Sequence, residues 1–382
     1  MANKTKDSEM ASPCPEVYLT PPPQPNVKKD GQLTDEQLRL FYEEGFVVVR
    51  DFFTPEELQP VRDAIAYLMD DLADRMFDAG LIKNKHENAN LFERLILLEE
   101  EYPGISVILH KTPKLPQGFR DLWAHDRLLN VMEQLVGPEI AGHPNWNLRP
   151  KTPQNQQMDV PWHQGLFIFN VSDNAYFAPE LLGTFVGTAW IPFLDVNAEN
   201  GCMQMVKYGH RKGVTAKHVC CMGGTWYVEM AEGELTNTLV ICKFDSFVTM
   251  FSVGCDPDKD VVTCDINYGS VIFFNNATPH RSLPNVSKEV RWSLDLRWMD
   301  PAKPVGIWGL KDCLPMRSAK NPDLKIDWET FEAVDRNKQQ QRSMENEAGA
   351  ENDFDTTIQG PWMKRWEIVN HNKHTEAFYS AT

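Results

Sequence analysis

Val160-Pro-Trp-His-Gln-Gly165 puts His163 two residues before a glycine, in a run that reads as a strand. Side chains two apart on a strand share a face, so a residue and its i+2 neighbour can reach one ion. A second histidine, His280, lies far downstream in Ala277-Thr-Pro-His-Arg-Ser282, after a strand and a short connector. Arg291 follows 291 − 280 = 11 residues later and falls on the next strand. Two histidines with a carboxylate two residues after the first make the facial triad of non-haem Fe(II) sites. Here Gly165 stands where that carboxylate would be, so the motif is a metal site short of one ligand. The Arg291 guanidinium can bind a carboxylate bidentately, and Ser282 can add a hydrogen bond.

The surrounding pattern predicts many short strands. Apolar or alternating runs at 184–193, 202–206, 270–274 and 292–298 are separated by turn residues, without long helices between them. In the last run Trp292, Leu294, Leu296 and Trp298 share one face, and Ser293, Asp295 and Arg297 the other. Such a series argues for a sandwich or jelly roll. The N-terminal part reads as helical. Thr34-Asp-Glu-Gln37 and Thr54-Pro-Glu-Glu57 are helix starts, and Leu58, Val61, Ile65, Leu68 and Leu72 form one buried stripe. Between the two starts, Phe46-Val-Val-Val49 reads as a strand. Residues 1–32, with Pro21-Pro-Pro-Gln-Pro25, are expected to be a disordered arm. Residues 33–318 form one domain, with an irregular elaboration over 211–265. Residues 319–382 form a charged extension packing on or flanking it, with anchors near Trp362 and Trp366.

Composition narrows the partners. At 382 residues with 42% hydrophobic and 10% aromatic content, the chain is not disordered as a whole. A net charge of −16 argues against a nucleic-acid or anionic-membrane partner, both of which need a basic face. No run of about 18 apolar residues could span a bilayer, and Met-Ala-Asn-Lys-Thr-Lys-Asp lacks a signal-peptide core. The eight cysteines contain no C-x-x-C pair, and adjacent Cys220-Cys221 is a poor disulfide candidate. The sequons at Asn3, Asn170, Asn276 and Asn285 are then chance matches. The expectation is a reduced, soluble, cytoplasmic protein; the sequence leaves its oligomeric state open.

The pattern resembles the phytanoyl-CoA dioxygenase family of Fe(II)/2-oxoglutarate oxygenases over most of residues 33–315. Four segments carry the resemblance in order: Leu33-Thr-Asp-Glu-Gln with Gly45-Phe-Val-Val-Val49, Val160-Pro-Trp-His-Gln, the turn Asn200-Gly-Cys-Met-Gln-Met, and the block from His280 to Arg291. It implies a mainly β fold with flanking helices, a double-stranded β-helix (jelly-roll, cupin-like) core under a helical N-terminal layer. It implies His163 and His280 as iron ligands, Arg291 and Ser282 on the far carboxylate of 2-oxoglutarate, and O2 with a small-molecule substrate. Gly165 is the departure, because the family has aspartate there. Fe²⁺ with one carboxylate and dianionic 2-oxoglutarate sums to −1, and chloride in place of the carboxylate leaves that sum unchanged. Non-haem iron halogenases of the same superfamily carry small residues at this position and bind halide at the metal. Gly165 would then be the catalytic departure that seats chloride (or bromide), beside apolar Leu166, Phe167, Ile168 and Phe169, which would exclude water. The product would be a halogenated aliphatic carbon. Three other readings stay open: a hydroxylase with water or another carboxylate in the third position, an Asp-to-Gly inactivated or engineered form, and a ligand-binding pseudoenzyme. Asp159 and Asp173 are the nearest replacement carboxylates.

Other residues invite plainer readings. His210 falls in a turn and reads as structural; His371 and His374 lie in a polar tail and read as solvated. Trp162 and Phe273-Phe274 read as core, and Lys151 as a surface lysine within reach of a cosubstrate carboxylate. Asn145, Trp146, Asn147 and Phe167 are candidates for a substrate pocket.

Overall fold

A computed structural model describes residues 16–112, 114–164, 184–212, 218–221, 225–230, 235, 255–305, 311–334, 354–360, 363 and 366–380. Gly165, Phe167, Asp173, the Lys338–Arg342 tract and Trp362 lie outside the described residues.

Helix α1 (Asp35–Glu44) begins with the expected capping box: Gln37 N–H donates to Thr34 Oγ1 at 3.2 Å, and Thr34 N–H to Gln37 Oε1 at 2.9 Å. It ends at Gly45, whose φ of 94° is left-handed. A Cβ at Gly45 would lie 2.5 Å from His210 Nδ1 and 2.6 Å from Thr278 Oγ1. Strain and crowding together should make Gly45→Ala cost about 2–4 kcal/mol. The measurement is a lower urea midpoint with unchanged slope; a wild-type midpoint would show that the turn relaxes freely.

Helix α2 (Pro55–Asp78) has a second capping box, Thr54 with Glu57, and buries the whole predicted stripe. Each such side chain contributes roughly 1.5–3 kcal/mol. Helices α3 (Arg94–Glu101), α4 (Ile105–Lys111), α5 (Gln117–Trp123) and α6 (Asp126–Leu135) complete the N-terminal layer.

The larger sheet is antiparallel throughout. In order it runs β1 (Phe46–Val49), β10 (Val271–Asn275), β5 (Val186–Pro192), β12 (Arg291–Met299), β2 (Glu139–Gly142) and β13 (Leu314–Ser318). Strand β3 (Asn147–Lys151) also pairs with β12, so Arg291 faces Lys151, Ser293 faces Arg149 and Asp295 faces Asn147. The second sheet runs β4 (Val160–His163), β11 (His280–Ser282), β6 (Met203–Val206) and β9 (Val261–Thr263), the last preceded by α7 (Pro257–Asp260). A two-stranded ribbon joins β7 (His218–Cys220) to β8 (Val228–Met230).

These sheets pack as a jelly-roll core. Phe46, Trp190, Met203, Met205, Ile272 and Phe274 fill one part of the space between them. Trp292, Leu294, Leu296 and Trp298 on β12 point the other way, into the large cluster shared with α2 and α4–α6. The polar residues of β12 therefore face inward between the sheets, not water. Both faces of the strand are buried because each is covered by another layer.

Described segments near both ends of the chain pack along this domain. Tyr18 is buried and its hydroxyl donates to the Thr184 carbonyl at 3.0 Å. Lys111 Nζ donates to the carbonyls of Asp355 and Thr357 at 3.1 and 3.0 Å. Helix α8 (Trp328–Ala333) sets Trp328 against Trp123, and α9 (Lys373–Ser380) closes the chain. His374 corrects its sequence reading: it is buried, and its Nδ1 accepts from Ile358 N–H at 3.1 Å. Cys220 and Cys221 are another correction, for they are joined as a disulfide. Cys221 has a φ of 72°, a turn that adjacency alone does not reveal. Among the described residues no helix is long and apolar enough to cross a membrane.

Candidate metal and cosubstrate site

Strand pairing brings the two histidines together. His280 is the register partner of His163 across β11 and β4, and their ring centroids lie 4.2 Å apart. Pro161, lacking an N–H, is tolerated because β4 is at the sheet edge. Its carbonyl oxygen takes a hydrogen bond from His163 Nδ1 at 2.9 Å, and the Thr278 carbonyl takes the equivalent bond from His280 Nδ1 at 2.9 Å. A carbonyl only accepts, so Nδ1 carries the hydrogen in both rings and each Nε2 keeps its lone pair. This second-sphere arrangement orients metal-ligating imidazoles. Burial holds His163 down at about 4 and His280 well below its ordinary value, so both rings are neutral at neutral pH. The donor set fits a divalent transition metal.

A cationic cradle adjoins the pair. Lys151, read from sequence as a surface residue, is 1% exposed: β3 carries it between the sheets. Its Nζ donates to Ser282 Oγ at 3.0 Å and pairs with Asp159 Oδ1 at 2.9 Å. Burial, reinforced by the Arg291 charge, lowers it to about 8. Gly201, at φ 85°, makes room for this chain, since a Cβ there would lie 2.6 Å from the Leu283 carbonyl and 3.0 Å from Lys151 Cε.

Arg291 is also buried, stacked over Trp190 at 5.4 Å, with Nη1 donating to Ser293 Oγ at 2.5 Å. Among the described residues its Nε is buried without a partner, and burial lowers the guanidinium to about 10. A buried cation with most of its donors unused is costly without an anion. A dicarboxylate with one end on Arg291 and on the Ser282 hydroxyl hydrogen would relieve that cost.

A further group shares the interior. Arg149 Nε donates to Asp295 Oδ2 at 2.9 Å, Arg149 Nη1 bonds the Tyr227 hydroxyl, and Arg297 Nη2 lies 3.5 Å from Asp295 Oδ2. Burial pushes the Asp295 carboxyl up, but the two guanidiniums outweigh it and leave the carboxyl below its usual range. Asp295 is thus committed to arginines and Asp159 to Lys151. Among the described residues no three His, Cys, Asp or Glu are grouped to hold a metal.

Of the pocket candidates, Asn147 lies on the inner face of β3, whereas Trp146 packs in the core against Phe119 and Trp123. His210 is structural as expected, its Nε2 on the Tyr42 carbonyl at 3.0 Å. Arg149 and Asp295 were not singled out in the sequence as site residues, and Lys151 was, as able to reach a cosubstrate carboxylate but read more simply as a surface lysine. Their signal was available in the alternation of Asn147, Arg149 and Lys151 against Leu148 and Pro150, matched by Arg291, Ser293 and Asp295.

These imidazoles, His163 half-buried and His210 and His374 buried, make stability depend on acid. His163, His210 and His374 are lowered from 6.5 to about 4, mainly by burial. Between those values the unfolded chain binds protons that the folded chain does not, so stability is complete above the window and falls as pH drops through it. The metal-free urea midpoint should fall from pH 7 to pH 5; an unchanged midpoint would contradict the neutral, buried assignment.

Comparison with known proteins places this geometry. Phytanoyl-CoA dioxygenase (PhyH) matches residues 41–293. The phytanoyl-CoA dioxygenase domain-containing protein 1 homolog of Dictyostelium discoideum is 22% identical over 293 residues, covering 70% of this chain and 92% of that protein. The 1-deoxypentalenic acid 11-beta-hydroxylase of Streptomyces arenae is 24% identical over 270 residues, covering 69% and 80%. Among solved structures, EctD from S. alaskensis with 2-oxoglutarate and 5-hydroxyectoine is 17% identical, covers 78% of this chain and 84% of its own, and gives a TM-score of 0.45. Well over half of the sequence matches one family pattern, from within α1 to the start of β12, and the chain belongs to the phytanoyl-CoA dioxygenase family.

Proposed function

We propose that this protein is an Fe(II)/2-oxoglutarate-dependent oxidoreductase acting on an unactivated C–H bond of a small molecule, with chloride or bromide in place of the missing carboxylate. The observation that carries the reading is the paired His163 and His280, each with Nδ1 committed to a carbonyl and Nε2 left for a metal. Iron bound there with 2-oxoglutarate and O2 would supply oxidation of the carbon, with succinate and CO2 as coproducts. His163 and His280 would hold the metal. Arg291 and Ser282 would take the distal carboxylate, with the buried Lys151 charge supporting Ser282. Gly165 would leave the third protein position open to halide.

Hydroxylation is the second reading, favoured by the similarity to a named hydroxylase. Halide decides between them. Turnover should require added chloride or bromide, and the product mass should carry the halogen. Undiminished turnover in halide-free buffer, giving hydroxylated product alone, would leave hydroxylation. Gly165→Asp should abolish halogen transfer while iron binding persists; robust hydroxylation arising from an inert parent would instead mark the glycine as a lesion.

A further inference from the structure

We propose that Arg149 and Tyr227 together anchor a carboxylate on the organic substrate. The inference rests on the oxidoreductase reading above and names the substrate class of that site.

The first support is position. Arg149 lies on the inner face of β3, opposite Ser293 and two residues from Lys151. Two residues along a strand span roughly 7 Å, so Arg149 is a separate station from the cradle of Lys151, Ser282 and Arg291. Its Nη1 bonds the Tyr227 hydroxyl. Tyr227 directly precedes β8, and β8 lies against β4, the strand that ends in His163.

The second support is unspent hydrogen-bonding capacity. Arg149 uses Nε on Asp295 and Nη1 on the Tyr227 oxygen. Its Nη2 has no acceptor among the described residues. A guanidinium has no lone pair, so Tyr227 can only accept from it. The phenolic hydrogen of Tyr227 also has no acceptor among the described residues. One N–H edge and one O–H, held together beside a largely desolvated positive charge, match the two oxygens of a carboxylate.

Charge points the same way. Asp295 is shared between Arg149 at 2.9 Å and Arg297 at 3.5 Å, so Arg149 holds only part of one carboxylate. A neutral hydroxyl or amide could use the donors, but only an anion also answers the largely desolvated cation, whose side chain is 13% exposed. A site built this way should reject a ligand whose carboxylate has been masked.

The test uses the full chain with Fe(II), 2-oxoglutarate and chloride, and a series of straight-chain carboxylic acids from four to twelve carbons beside their methyl esters. Two quantities are read: the change each compound causes in the anaerobic Fe(II)–2-oxoglutarate absorption band, and succinate formation in air. Some acids should perturb the band and raise succinate formation about tenfold over their esters. Tyr227→Phe should retain the band without added compound, and raise KM for the responding acid about tenfold with a smaller change in kcat. Arg149→Met should lose the acid response while retaining the band, and Arg149→Lys should recover part of it. Because Arg149→Met also takes a partner from Asp295, Tyr227→Phe is the arm least exposed to misfolding. Equal responses to acids and esters, an unchanged KM in Tyr227→Phe, or loss of the band itself in Arg149→Met would each overturn the assignment. A wild type that forms no band overturns the iron and 2-oxoglutarate reading, and this inference with it. A wild type that forms the band but responds to no acid overturns this inference alone.

Discussion

Arg291→Met should weaken 2-oxoglutarate binding by roughly two to three orders of magnitude while leaving the ligand-free protein as stable as wild type, or more so. Both halves follow from the same burial. Arg291 is 2% exposed, and among the described residues its side chain makes one hydrogen bond, to Ser293, and leaves Nε without a partner. Removing one member of a buried charge pair costs about 3–5 kcal/mol, and about 1.4 kcal/mol is tenfold in affinity. That cost applies only when the carboxylate is present. Without it, an apolar side chain of similar length removes a desolvated cation and keeps the packing against Trp190. Anaerobic titration of 2-oxoglutarate into the iron-loaded protein gives the first quantity, and a melting curve without cosubstrate gives the second. A lower melting temperature with unchanged affinity would make Arg291 a scaffold residue and remove it from the site.

His280→Ala and His163→Ala should each lower Fe(II) affinity by roughly two to three orders of magnitude and abolish turnover. A structural four-ligand zinc site is worth about 10–16 kcal/mol, or about 2.5–4 kcal/mol per ligand. If His163 and His280 are the two such ligands among the described residues, the loss of either leaves a single imidazole. Equilibrium dialysis against Fe(II) under anaerobic conditions measures the effect. His210→Ala is the control: this ring is also buried and neutral, but its Nε2 is bonded to the Tyr42 carbonyl. It should lower the urea midpoint and leave iron binding alone. If all three variants bound iron equally, the histidine pair would not be the metal site.

Local features were legible wherever neighbouring residues decide them. Both capping boxes formed at Thr34 and Thr54, and β1 spans the predicted Phe46–Val49. The buried stripe of α2 followed its helical period. Strands β6 and β10 lie within one residue of their apolar runs. Where distant segments decide, the reading failed. Lys151 has the composition of a surface residue, and only the pairing of β3 with β12 carries it into the interior. His374 sits in a polar tail, yet that tail docks on Trp226. Trp146 was a pocket candidate and became core, because α5 packs over it.

The sequence by itself determined which chemistry the chain could carry: two imidazoles, a guanidinium and a hydroxyl at strand positions, with Gly165 in place of a carboxylate. Those are matters of residue type and spacing, and a strand's alternation preserves them. Only the tertiary structure decided that His163 and His280 become register partners, and that the polar face of β12 turns inward to meet Lys151 and Arg149. Periodicity says that the two faces of a strand differ. It cannot say which face meets water, because that depends on layers contributed by residues far away in the chain.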